Sequence, residues 1–183
     1  MKGLSFDEAM VKAWMEGRKT VTRRLMNPQP NMTWEDGRPW WPVGGVYGGK
    51  PPCLRNETVY IKETWAFATD FGNDTDVVFY KASYTNGGPY DDVTTWKSPV
   101  FMPETASRSH ALIVSVSPEM VQEITREDAL KEGAELHYWG GYNFTYREMT
   151  PPVANFRRIL ESIYPGSWER NVWVWRIELE KLA

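Results

Sequence analysis

At 183 residues and a formal charge of −3, the chain suits one domain with insertions better than two, and it is too acidic to coat nucleic acid through bulk charge. Its 42% hydrophobic and 25% charged content fits a globule with a real core and excludes a disordered or fibrous chain. A local basic cleft stays open, because a protein's field depends on where charges lie as well as on their sum.

The single cysteine, Cys53, has no partner for an internal disulfide, which points to a reducing compartment. Met1 to Glu16 is polar and periodic, unlike a signal peptide, and no apolar run approaches the roughly 20 residues of a membrane span. A cytoplasmic protein without membrane contact is expected. Ten Trp, nine Tyr and seven Phe are enough both to fill a core and to anchor loops.

In chain order, Ser5-Phe6-Asp7-Glu8 reads as a capping box with Ser5 as N-cap. Phe6, Met10, Ala13 and Trp14 form the helical stripe that follows, and Gly17 is placed to end the helix. Arg18, Lys19, Arg23 and Arg24 crowd the junction between this helix and a β-branched strand over Thr20 to Leu25, together with Thr20 and Thr22. Residues 27–56 form a Pro- and Gly-rich insertion pinned by Trp34, Trp40 and Trp41. Its Gly44-Gly45-Val46-Tyr47-Gly48-Gly49-Lys50 run lacks the hydroxyl residue of a phosphate loop, and Pro51-Pro52 blocks the helix that should follow.

Glu57 to Phe67 reads as one strand, with Val59, Ile61, Glu63, Trp65 and Phe67 on one face. Glu63 is then either a rim carboxylate paired to an arginine or a pocket carboxylate. Val77 to Ala82 is a further strand, residues 84–106 a second insertion, and His110 to Val116 another strand. Thr125 to Gly133 is a short helix with Thr125 as N-cap. Residues 138–152 are a third, aromatic loop. Val153 to Ile163 is amphipathic, with Phe156, Ile159, Leu160 and Ile163 inward. Val172 to Leu179 closes the chain with Trp173, Trp175, Ile177 and Leu179 on one side. Without βαβ alternation the class is α+β, one domain over 1–183 with a small curved or barrel-like sheet.

His110 and His137 are the only histidines, and with one cysteine they offer no zinc spacing. No nucleophile elbow and no GxGxxG after a strand is present. What remains is a site without metal or cofactor, built from Lys, Thr, Arg and Glu. The plainer alternative is that Lys19 and Arg23 only solvate a strand edge.

Gly17 to Arg24 after a capped helix resembles the signature of the ASCH domain, a branch of the PUA-like superfamily. Val59 to Trp65, Ile124 to Gly133, and Ile163 to Gly166 with Val174 to Glu178 resemble further stretches of that family, in order along the chain. The similarity covers about half the chain and leaves out the three insertions; it is strongest to ASCH-like proteins of phages and prophages. It implies a small β-barrel flanked by helices, with a cleft for a modified nucleoside or RNA. In its motifs the chain is similar to the N4-acetylcytidine amidohydrolases, which implies Thr22 as nucleophile, Lys19 as proton acceptor and Glu132 as proton donor. Arg18, Arg23, Arg24, Glu63, Trp65 and Arg108 are the expected substrate contacts. The alternatives are a non-catalytic RNA or modified-base binding module and a ribonuclease. The resemblance also predicts contact between the strand after Lys19 and the strand containing Ile61.

Overall fold

The computed structural model describes all residues except 31, 34–36, 38, 41–49, 71–74, 85–94, 135–150 and 183. In chain order the elements are β1 (Lys2–Ser5), α1 (Glu8–Met15), β2 (Val21–Leu25), β3 (Met32–Thr33), β4 (Pro39–Trp40), β5 (Thr58–Lys62), β6 (Trp65–Asp70), β7 (Thr75–Tyr80), β8 (His110–Met120), α2 (Arg126–Lys131), α3 (Pro151–Ile163) and β9 (Trp173–Lys181). The protein is α+β. Its main sheet has the order β1-β5-β8-β9-β2, with only the β1/β5 pair parallel; β3/β4 and β6/β7 are separate two-stranded ribbons. Among the described residues, β1 and β2 are the edges of the main sheet and are not paired to each other, so it is not a closed barrel. No described helix is long and apolar enough to cross a membrane.

The sheet carries a core on each face. Leu4, Val59, Ile61, Ala111, Ile113, Ile177 and Leu179 face α1 and bury Phe6, Val11 and Trp14. Val174, an odd number of residues from Ile177 and so on the opposite face, joins Val121, Ala129, Phe156 and Leu160 beneath α2 and α3. In β8 the register against β9 shifts between Ile113 and Ser115, a bulge that lets Ile113 and then Val116 meet the same core. Among the described residues, the β5 side of β8 is paired only as far as Ile113, so Pro118 loses no ladder bond there.

Several elements differ from the sequence reading. Asp7, not Ser5, caps α1, accepting from the Met10 amide at 2.7 Å. Residues 2–5 form β1 instead, because they pair with β5. The stretch 57–67 is two strands in different sheets. It breaks at Glu63 and Thr64, where the Thr64 carbonyl accepts from the Lys81 amide, and Phe67 ends exposed. The strand at 77–82 is β7, closing in a 3-10 turn at Lys81–Ser83. Ile163 lies on the outer face of α3 at 48% exposure. Strand β2 pairs with β9, with β8 and β9 standing between it and β5. Within the second insertion Met102 and Ala106 pack on Trp65 as a small third core. Trp34, Trp41, the Gly44–Gly49 run, His137 and 138–150 lie outside the described residues.

Two glycines do different work. Gly17 ends α1 at φ +75° in open space, whereas a Cβ on Gly133, at φ +88°, would stand 2.8 Å from the Ala13 Cβ. Gly17→Ala should therefore cost only the left-handed penalty of about 1–2 kcal/mol. Gly133→Ala should add an overpacking cost of about 1–3 kcal/mol. Denaturant melts of the two variants check this: equal losses would show that α1 and α2 do not meet so closely.

Candidate functional site

The site is built where two helix ends meet. The Arg18 and Lys19 amides both donate to the Ala13 carbonyl, at 2.8 and 3.0 Å, and turn the chain at Gly17 so that Lys19 enters the interior. Lys19 is 0% exposed. Its ammonium donates to the Val21 carbonyl at 2.8 Å, the Glu132 carbonyl at 2.9 Å and Glu132 Oε2 at 2.8 Å. An ammonium has three N–H donors, and all three are used. The Phe6 ring lies 5.0 Å from it.

Glu132 reaches this point because α2 starts and stops sharply. Thr125 Oγ1 accepts from the Asp128 amide at the N-terminus, and Glu132 is the C-cap before Gly133 turns away. The Thr20 amide donates to the Lys131 carbonyl at 2.8 Å, fastening the start of β2 to the same helix end. A cation on the last carbonyls of α2 also complements its dipole. Burial pushes the Lys19 pKa below its ordinary value, more than the Glu132 charge raises it.

Glu132 Oε1 continues into a second tier, 3.2 Å from Arg23 Nη1. Arg23 also donates to Glu119 at 2.8 Å and Asp128 at 2.7 Å, and its side chain is 1% exposed. Arg23 and Arg176 stand directly opposite on β2 and β9. Two like charges there would repel. Asp128 takes both, receiving Arg23 Nη2 and Arg176 Nε at 2.7 Å each, and Glu178 accepts from Arg176 Nη1 at 2.7 Å. Hydrogen bonds from Arg176 foremost, then from Arg23, lower the Asp128 pKa from 3.8 to about 2, against the opposing effect of burial.

Thr22 follows the peptide whose carbonyl Lys19 holds, so its backbone adjoins the ammonium. It pairs with Ile177 and faces the opposite side of β2 from Arg23. Thr22 is 1% exposed, and its hydroxyl makes no hydrogen bond among the described residues. The one fully enclosed polar side-chain atom without a partner there is Trp65 Nε1, so the Thr22 oxygen keeps a narrow opening to solvent.

The other expected substrate contacts divide. Arg18 is at the surface, with its Nε 2.7 Å from Glu16. Arg24 donates to the Ser5 carbonyl at 2.6 Å. Glu63 and Arg108 form a two-pronged pair at 2.8 and 2.8 Å, the guanidinium 4.2 Å over the Tyr80 ring. They belong, with Trp65, to the neighbourhood of the third core and make no contact with Lys19 or Glu132 among the described residues. Glu63 is thus paired to an arginine, and at 2% exposure it is buried instead of standing on a rim.

Sequence reasoning missed Glu119, Asp128 and Arg176. An arginine between Trp175 and Ile177 in the closing strand was the available signal for a charge tier on its second face. No described group of carboxylates, histidines or cysteine is arranged to hold a metal ion. No protein-family model matches the chain, and neither a curated protein nor a solved structure does.

The Asp128 geometry has a pH signature. Its folded pKa is depressed, so its contribution to stability is complete above about pH 4 and is lost as pH falls through about 2. Asp128→Asn should lower stability at neutral pH by about 1.5–3 kcal/mol. It should also flatten the acid limb of a stability-against-pH curve measured by urea melts. An unchanged acid limb would remove Asp128 from the charge tier.

Proposed function

We propose that the protein is an ASCH-like hydrolase acting on a modified nucleoside or RNA, with amide hydrolysis of N4-acetylcytidine as the leading reaction. In this reading the main sheet is a PUA-like barrel left open between β1 and β2. The observation that carries the proposal is the 2.8 Å contact between Lys19 and Glu132, 113 residues apart, with Thr22 following the peptide whose carbonyl Lys19 holds.

In this mechanism the ion pair first passes a proton from Lys19 to Glu132 along the 2.8 Å contact, which frees Lys19 to accept another. Burial holds the Lys19 pKa below its ordinary value, which eases that transfer. Lys19 then accepts the Thr22 proton as Oγ1 bonds to the acyl carbon. The C–N bond breaks as Glu132 gives its proton to the leaving amine. Water next attacks the acyl-threonine ester and passes a proton to Glu132. Lys19 returns its proton to the departing Thr22 oxygen, and the acid is released.

One observation favours the alternative, a non-catalytic module for RNA or a modified base. All three Lys19 donors are used, which suits a structural ammonium. Thr22 separates the two readings without disturbing charge. Thr22→Val keeps the shape and removes only a hydroxyl that makes no hydrogen bond among the described residues. It should leave the melting temperature within about 2 °C, corresponding to a stability change of roughly ±0.5 kcal/mol. It should also abolish release of cytidine from N4-acetylcytidine, while Thr22→Ser retains part of it. Lys19→Arg should be inactive, because a guanidinium accepts no proton at working pH. Full turnover by Thr22→Val would refute the mechanism. No turnover by the unaltered protein on acylated nucleosides, with RNA bound instead, would select the binding module.

A further inference from the structure

The cations of the Gly17–Arg24 stretch have distinct assignments. Arg18 is paired to Glu16, Lys19 to Glu132, and Arg23 to Glu119, Asp128 and Glu132. Arg24 alone has no carboxylate among the described residues; it holds only the Ser5 carbonyl, at 2.6 Å, with its guanidinium 5.9 Å from the Phe6 ring. That bond spans the gap between the two edges of the main sheet, from β2 to the end of β1. A pocket of about 440 Å³ opens in this gap, lined by Ser5, Arg24, Asn27, Lys50 and Trp175 among others. The size is that of a small-molecule site. Lys50 is exposed and is likewise in no ion pair among the described residues. In a chain of net charge −3, this lining has two cations and no carboxylate.

Arg24 and Trp175 are directly opposite on antiparallel strands. Their Cβ atoms are therefore about 5 Å apart on one face, and both residues line the pocket. Thr22 is two residues back on the same face, about 7 Å along β2. A fork of N–H donors suits a phosphate, and an indole suits a flat base.

We propose that the β1–β2 gap binds a phosphorylated nucleotide, either free or at the end of an RNA. Arg24 and Lys50 take the phosphate and Trp175 stacks the base. This rests on the nucleoside-directed reading and narrows it: the preferred ligand carries a phosphate next to its base, and Lys50, from the first insertion, helps select it.

Calorimetric titration of the full chain tests this with cytidine, cytidine 5′-monophosphate, inorganic phosphate, and tetracytidylate with and without a 5′-phosphate. The monophosphate or the 5′-phosphorylated oligomer should bind at least about tenfold tighter than its unphosphorylated counterpart, a difference of about 1.4 kcal/mol. The gain should shrink as salt rises. A gain with the mononucleotide supports a free nucleotide as the source, and a gain with the oligomer alone supports an RNA end. Lys50→Gln, at an exposed position, should erase most of the gain, and so should Arg24→Gln. Trp175→Leu should weaken nucleoside and nucleotide alike. Binding is read without turnover, so loss of the hydrolase reading leaves this one standing. Equal binding of each phosphorylated and unphosphorylated pair would overturn the proposal, as would a gain that survives both charge variants. Inorganic phosphate bound as tightly as the nucleotide would overturn the role given to Trp175.

Discussion

The structure depends on a buried ion pair. Removing an ammonium and a carboxylate from water costs several kcal/mol per ion unless each is fully satisfied. Lys19 is satisfied because three acceptors converge on it, two of them from Glu132. That convergence requires α1 to end at Gly17, β2 to start against α2, and α2 to end where Gly133 passes Ala13. A single contact thus sets the relation between the first helix, the edge strand and the second helix.

From this pair, charge is distributed by face. One side of β2 carries Arg23, locked with Arg176 into a tier of carboxylates that bridges α2 and the sheet. The other side carries Thr22 and Arg24, with Trp175 across from Arg24 and Ile177 across from Thr22. The alternation of a β-strand separates the carboxylate-paired Arg23 from Thr22 and Arg24. The basic run is therefore not a uniform patch: its members one residue apart serve opposite faces.

Much of this was legible in the residues. The stop at Gly17, the cap at Thr125, the turn at Gly133 and the strands around Ile61 and Ile177 follow from local rules, and each is present. What local rules could not supply was long-range pairing. Ser5 offered a good cap, but β1 needed its backbone, and Asp7 took the role. The 57–67 run alternates well enough for one strand, yet Glu63 is drawn to Arg108 and the chain changes sheet. Only the family resemblance singles out Lys19, Thr22 and Glu132 in the residues, and of these the structure joins Lys19 to Glu132. Which cation each carboxylate takes, and so which arginine is left over, depends on register between strands far apart in the chain, such as those of Arg24 and Trp175.

The most direct measurement is a double-mutant cycle on the ion pair, using Lys19→Met, Glu132→Gln and the two together, read by equilibrium urea unfolding. Each single change leaves a buried charge without its partner and should cost about 3–5 kcal/mol. The combined change should cost less than the sum by about 2 kcal/mol or more, as expected for groups in contact. Small single losses that add to within about 0.5 kcal/mol would contradict the account, because they would mean that the two charges do not hold the helix ends together.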